Sequence, residues 1–320
     1  MARQRNLPRR ATRKNRPEAE TEFKMKFLVR RLEDWMPLLL LLTSLAFVYE
    51  LIKFIGGPAI SIDVSLFGLD IHTIWRPPLK FRLASNLSMP HLWDIIEAFG
   101  KPARRGGPIL LNELSVAALF TFREAFVGFI LGALMGLILA ILLVHFSLLE
   151  RALMPYVIAS QTVPLIAVAP MIVIWLRAGW ISVSIISAYL TFFPVTIAGL
   201  RGLKSVHPDA IDLMVSYAAT TRQVLFMVRF PSAAPYLFNG FKLAASLSVI
   251  GAIVGELPSG ISGGLGTVIL NFNQYYISGP ERLWAAMIAA GVLGIASYLL
   301  VHLAEFLLLR TQPRGAEVKS

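Results

Sequence analysis

This sequence predicts an all-α membrane protein with six transmembrane helices, and three observations carry that prediction. Of its 320 residues 56% are hydrophobic and only 15% charged, with a mean hydropathy of +0.66; soluble domains carry about a quarter charged residues. Six stretches approach or exceed the roughly 20 apolar residues that a helix needs to cross a bilayer. Basic residues gather in the segments that one topology places on a single side of the membrane. With no cysteine in the chain, disulfides, thiolate metal sites and a cysteine nucleophile are excluded.

Residues 1–35 come first and hold eleven Lys or Arg against five Asp or Glu. With Pro8 and Pro17 and few large apolar side chains, this stretch reads as a basic arm lying on an anionic cytoplasmic leaflet. The net charge of +11 is therefore not a sign of nucleic-acid binding, for which no fold motif is present. Nor is the arm a cleavable leader, because no small-residue cleavage site follows the first apolar run.

The expected spans are 36–55, 126–145, 156–176, 181–200, 236–256 and 284–308. A cytoplasmic arm and six crossings bring the tail, 309–320, back to the cytoplasm with Arg310, Arg314 and Lys319. The short inner loops hold Arg151, Arg201, Lys204, Arg222 and Arg229; the outer ones hold only Arg177 and Arg282. The long outer loop, 56–122, is rich in turn residues (Gly56-Gly57-Pro58, Pro77-Pro78, Gly106-Gly107-Pro108). A short helix is expected at 90–99, with Leu92, Ile95, Ile96 and Phe99 on one face, and another at 111–124, leading into the second span. Residues 123–308 form the five-helix core.

Within the core, Gly128, Gly132 and Gly136 make a small-xxx-small ladder on the second span. Gly240, Ala244, Ser248 and Ala252 make another on the fifth, with Gly251 and Gly255 one face over. Such stripes let helices approach closely, and in a moving transporter they also mark surfaces that line the pathway. The third span carries Pro155, Pro164 and Pro170. A helix so broken belongs in the interior or against water. Gln161, Thr162 and Pro164 are thus candidates for the translocation pathway or for patching the kink. Ser248 joins the pathway set from its stripe, and Glu256, at the end of the fifth span, is a gate or pathway candidate, since an intramembrane acid is costly and functional by default, or it reaches outer water. Glu50 and Lys53 are expected to snorkel, Arg123 and Glu124 to form an interfacial ion pair, and Lys242 to meet headgroups. The scattered histidines, His207 among them, give no metal site, and no catalytic constellation appears.

The cytoplasmic loop, 201–235, is amphipathic. Ile211, Val215 and Ala218 share a helical face, a turn follows at Ala219-Thr220-Thr221, and Val224, Leu225 and Val228 form a second apolar face ended by Phe230-Pro231. Two short helices joined at a bend make a knob that a soluble partner can grip, or a pair lying on the headgroups.

This loop resembles the EAA coupling loop of ABC importer permeases: Glu-Ala-Ala, three residues, Gly, nine residues, then Ile-x-Leu-Pro. Here the spacing reads Asp212-Leu213-Met214, Ala218, and Val228-Arg229-Phe230-Pro231, with only the proline identical. Ala218 in the glycine's place implies a bend made without positive φ, or placed one residue on. The flanks are similar to nitrate, sulfonate and taurine permeases: Gly202-Leu203-Lys204-Ser205-Val206-His207-Pro208 before the loop, Met89-Pro90 with Leu92 and Ile95, and Ser262-Gly263-Gly264-Leu265-Gly266 after the fifth span.

The resemblance implies a type I importer permease fold of the MetI-like kind in a bacterial inner membrane. It implies a homodimer, two ATP-binding subunits carrying ATP and magnesium, and an extracytoplasmic binding protein that delivers a small solute. It assigns coupling to Asp212, Val215, Ala218, Ala219, Val228, Phe230 and Pro231. This chain holds no Gly-x4-Gly-Lys-Ser/Thr phosphate loop, so it carries no cofactor and is not itself an enzyme. Pyrimidine (thiamine-precursor) or riboflavin uptake is the substrate lean, from Gly255-Glu256-Leu257-Pro258 and the glycine turn; sulfonate, taurine and nitrate stay open. A self-sufficient secondary transporter or channel is the alternative. It requires paired acids inside the bundle and leaves the knob unexplained.

Overall fold

The computed structural model describes residues 36–37, 40–58, 60–66, 69–75, 77, 84–104 and 106–309. The expected basic arm and the tail beyond Leu309 lie outside them. The chain divides into two units, Met1–Leu92 and Trp93–Ser320.

In the first unit, helix α1 spans 40–56 and exposes Leu41, Leu45, Phe47, Val48 and Ile52. Its polar residues do not snorkel. Tyr49 donates its hydroxyl to the Pro90 carbonyl at 2.7 Å and Lys53, wholly buried, donates to the Met89 carbonyl. Glu50 meets His91 Nδ1 at 2.9 Å and accepts the Leu92 N–H at 2.7 Å. The Met89-Pro90 turn leaves backbone groups without helical partners, and burying them requires such pairing. Between these segments lies an antiparallel hairpin, β1 (Ile60–Leu66) and β2 (Leu69–Trp75), in register from Ile60↔Trp75 to Leu66↔Leu69. It departs from an all-α outer loop. The period-two run Ile60, Ile62, Val64, Leu66 is the strand signal that a search for helical spacing passes over.

The second unit is helical: α2 (Leu92–Gly100), α3 (Leu110–His145), α4 (Ser147–Ser160), α5 (Leu165–Leu176), α6 (Trp180–Lys204), α7 (Pro208–Ser216), α8 (Thr221–Ser259), α9 (Leu265–Gln274) and α10 (Pro280–Leu309). Among the described residues, α3, α6, α8 and α10 are long and apolar enough to cross a membrane. The α4–α5 pair, bent by 99°, passes the same test only when taken together, as one broken span or a re-entrant loop. The short helix expected at 111–124 is continuous with the second span as the lower half of α3.

Helix α6 is the centre of the bundle: its most apolar window is 61% buried, against 11% for α10. Glycines make this possible. A Cβ on Gly128, Gly132 or Gly136 of α3 would lie within 2.6 Å of the Ser184, Ala188 or Phe192 carbonyl oxygen of α6. From the other side, a Cβ on Gly240 would lie 2.5 Å from Ala198 Cβ, and one on Gly251 2.8 Å from Ser187 Cα. Gly255 faces Ile186 and Val183. Ser187 also donates its hydroxyl to the Ser248 carbonyl at 2.8 Å, joining α6 to α8 where both are buried. At the opposite end from α9, Ala140, Leu143, Leu200, Leu203, Leu225, Ala233 and Leu237 form one apolar cluster across α3, α6 and α8.

Lys242 does not reach for headgroups. It pairs with Glu305 of α10 at 3.0 Å, both largely buried, and His302 closes on the same carboxylate oxygen at 3.1 Å. Hydrocarbon gives a charge no solvent, so the pair forms inside the protein.

Candidate coupling knob and membrane pathway

Helix α7 begins at His207, whose ring nitrogen accepts the Asp209 N–H, with Pro208 at the first helical position. It ends in a Schellman closure: Ala219 N–H donates to Met214 O at 3.0 Å and Ala218 N–H to Val215 O at 2.9 Å. That motif requires a left-handed residue between the two, and Ala218 supplies it at φ 52°. The bend therefore sits where the family has glycine and does need positive φ, contrary to the sequence expectation. Thr220 and Gln223 then form a capping box that starts α8, whose first turns widen into a π-helix at Val224–Arg229.

The knob has an inner and an outer surface. Leu225 is buried in the apolar cluster that joins the spans, with Phe230 packed against it. Val224, Val228 and Ala219 are half-buried. No residue of α7 is buried. Asp212, Ala218 and Pro231 are exposed, as are Leu213, Val215, Tyr217, Phe226 and Met227, the last five each at least 57%. The family-implied set thus divides: Asp212, Val215 and Ala218 are exposed, while Phe230 packs on the buried cluster and Val228 is half-buried. Leu213, Tyr217, Phe226 and Met227 complete the outer face and were not singled out from sequence. Phe226 stacks on Phe230 at 5.6 Å, linking the two surfaces.

The broken span turns at 161–164. Pro164 heads α5 and disfavours helix at Val163. Hydroxyls take the carbonyls at the break: Thr162 Oγ1 bonds Ala159 O at 2.7 Å, Ser160 Oγ bonds Val157 O at 2.7 Å, and Tyr189 bonds Ser160 O. Thr162 is thus engaged in the kink. Gln161 instead lines a cavity of about 330 Å³ with Asn239, Arg201 and Tyr236. Ser248, 2% exposed, lies at a separate apolar cleft between α3, α8 and α10.

Glu256 is buried and engaged. It accepts the Thr121 hydroxyl at 2.6 Å and the Gly266 N–H, while the Leu265 N–H donates to Thr121 Oγ1 at 2.8 Å. The first turn of α9 is thereby stapled to α3 and α8. A Cβ on Gly264 would fall 2.2 Å from the Glu256 carboxyl carbon, so the glycine turn is fitted to this acid. Glu124 is wholly buried, with its carboxyl beside that of Glu256. It forms no interfacial ion pair with Arg123, which lies 4.8 Å over the Trp180 ring instead.

Residues 128–310 match the family model described as binding-protein-dependent transport system inner membrane component. The formylaminopyrimidine transport permease protein ThiX of Halalkalibacterium halodurans is 32% identical over 228 residues, covering 68% of this chain and 90% of that protein. The riboflavin transport system permease protein RibX of Chloroflexus aurantiacus is 35% identical over 166 residues, 52% of this chain and 61% of its own length. Among solved structures, the crystal structure of an amino acid ABC transporter with histidines shares the fold, with a TM-score of 0.50 at 16% identity over 61% of this chain and 94% of that one.

Proposed function

The chain belongs to the family of binding-protein-dependent transport system inner membrane components, and from that premise we propose how it works as the transmembrane permease subunit of an ATP-binding-cassette importer. Two copies form the pathway in a bacterial inner membrane, with both termini in the cytoplasm. An extracytoplasmic protein delivers the solute. ATP and magnesium are held, and ATP is hydrolysed, by two separate subunits that grip the knob.

The observation that carries this reading is the outer surface of that knob. Leu213 and Val215 of α7, Tyr217 at its end, and Phe226 and Met227 of α8 stand exposed, as does Asp212. Contiguous exposed apolar side chains mark a contact surface. Leu225 beneath them carries any displacement directly into α3, α6 and α8. Rocking of those spans opens the pathway to one side and then the other. The Glu256–Thr121–Gly266 staple holds the opposite end as one body, and Gln161, with the Pro164 break, faces the moving solute.

Pyrimidines of the thiamine-precursor type, or riboflavin, are the proposed cargo, supported by the likeness to ThiX over 90% of its length. Sulfonate, taurine and nitrate are the competing cargoes.

Affinity purification of the tagged chain in mild detergent tests the reading. An ATP-binding subunit is expected in equal amount and is expected to be lost on Ala218→Asp, which sets a charge in the contact. A chain that purifies alone and moves solute without ATP would instead be a self-sufficient transporter.

A further inference from the structure

Where α3, α8 and α9 meet, two carboxyl groups lie side by side inside the protein: Glu124 is wholly buried and Glu256 is 1% exposed. Among the described residues, the buried side-chain oxygens left without a hydrogen-bond partner are the two of Glu124 and that of Ser184. Glu256, by contrast, is served by two donors, the Thr121 hydroxyl on one oxygen and the Gly266 N–H on the other. No cation answers the pair. Arg123, next in sequence to Glu124, lays its guanidinium over the Trp180 ring. Neither α9 nor residues 180–188 of α6 contain an ionisable side chain.

Two carboxylates so placed would repel each other with neither water nor a cation to offset it. A charged Glu124 would also hold two anionic oxygens out of water without a single donor. One proton removes both difficulties. The hydroxyl of a neutral Glu124 needs one acceptor, and each oxygen of Glu256 keeps a free lone pair after accepting its bond from Thr121 or Gly266. We propose that Glu124 and Glu256 form a buried proton-binding site, with one proton held between the two carboxyls, Glu124 donating and Glu256 carrying the charge. The roles follow from the donors: two hydrogen bonds hold Glu256 as an acceptor, and none holds Glu124. The proton thereby ties α3 to α8 by a second bond beside that of Thr121, at the carboxyl that also fixes the first turn of α9. A metal cation in its place would need several more oxygen ligands. Gly264 and Gly266 close on the Glu256 carboxyl so tightly that a Cβ on either would fall within 2.9 Å of an oxygen, which leaves no room for such ligands on that side. The proposal stands on this packing and does not depend on the permease reading.

Infrared spectroscopy of the full chain in lipid nanodiscs reads the proton itself. At neutral pH, where carboxyls in water are ionised (about 4.3 is the ordinary pKa of Glu), wild type is expected to show the carbonyl stretch of a protonated carboxylic acid. The band is expected to shift in D₂O and to be missing from Glu124→Gln. Amide exchange at Leu265 and Gly266 reads what the proton holds. Glu124→Gln keeps an N–H donor toward Glu256 and is expected to leave exchange within about twofold of wild type, whereas Glu124→Met keeps the bulk, removes the donor and is expected to speed it at least about tenfold, the loss of one buried hydrogen bond. Three results would overturn the proposal. A spectrum unchanged by Glu124→Gln would mean that Glu124 carries no proton. Exchange no faster in Glu124→Met than in Glu124→Gln would mean that no bond runs between the carboxyls. Exchange in wild type that slows about tenfold when choline chloride is replaced by sodium chloride would put a metal cation where the proton is assigned.

Discussion

Ala219 donates its N–H to the Met214 carbonyl at 3.0 Å, closing the end of α7 around Ala218 at φ 52°. An alanine held there carries strain of about 1–2 kcal/mol that glycine would not. Ala218→Gly is therefore expected to stabilise the permease by about 1 kcal/mol while keeping its partner. Thermal unfolding in detergent and recovery of the ATP-binding subunit check the two halves of that statement.

The close approach of α3 to α6 predicts a second outcome. A side chain at Gly132 would meet the Ala188 carbonyl at 2.5 Å, whereas Gly291 on α10 has nothing within 4 Å. Gly132→Leu is expected to destabilise by about 3 kcal/mol or to prevent accumulation in the membrane. Gly291→Leu is expected to be neutral. Equal melting temperatures for the two variants would show that the helices do not pack as described.

The staple at α9 gives a third. Thr121→Val removes both the donor to Glu256 and the acceptor of the Leu265 N–H. Leaving those buried groups unpaired costs about 1–3 kcal/mol. Amide exchange is the suitable probe: Leu265 and Gly266 are expected to exchange at least tenfold faster in the variant, with the α6 amides unchanged.

Lys242 and Glu305 give a fourth. Lys242→Met leaves a largely buried carboxylate with only His302 beside it, an expected loss of about 3 kcal/mol. Adding Glu305→Leu removes the stranded charge and is expected to restore most of the stability. A double variant no better than Lys242→Met alone would rule out the pair as the cause.

What was legible in the sequence had a local period. Apolar runs of span length, glycines at every fourth residue and prolines within a span all announce themselves over a dozen residues. The hairpin has a local period too, in the alternation of Ile60, Ile62, Val64 and Leu66, but that run is short and set among turn residues. The bonds that place the polar groups had no local trace. Thr121 and Glu256 lie 135 residues apart, as far beyond any periodic signal as Lys242 and Glu305. Conformation can also hide behind composition: alanine in place of glycine pointed away from a positive φ that the backbone adopts all the same. The family resemblance assigns Val228 and Phe230, on the loop's second amphipathic face, to coupling. Burial of Leu225 shows that this face turns toward the spans, and the proposed contact surface is the exposed side with Tyr217 and Phe226.

In the proposed function an ATP-binding subunit holds the knob. Crosslinking from single cysteines at Val215 and Tyr217, introduced into the cysteine-free chain in its native membrane, tests it most directly. An adduct with an ATP-binding protein is expected from both positions, weakened or shifted by ATP, and none from Ile288→Cys on α10. No such adduct from either knob position, in membranes where the chain still moves solute, would contradict it.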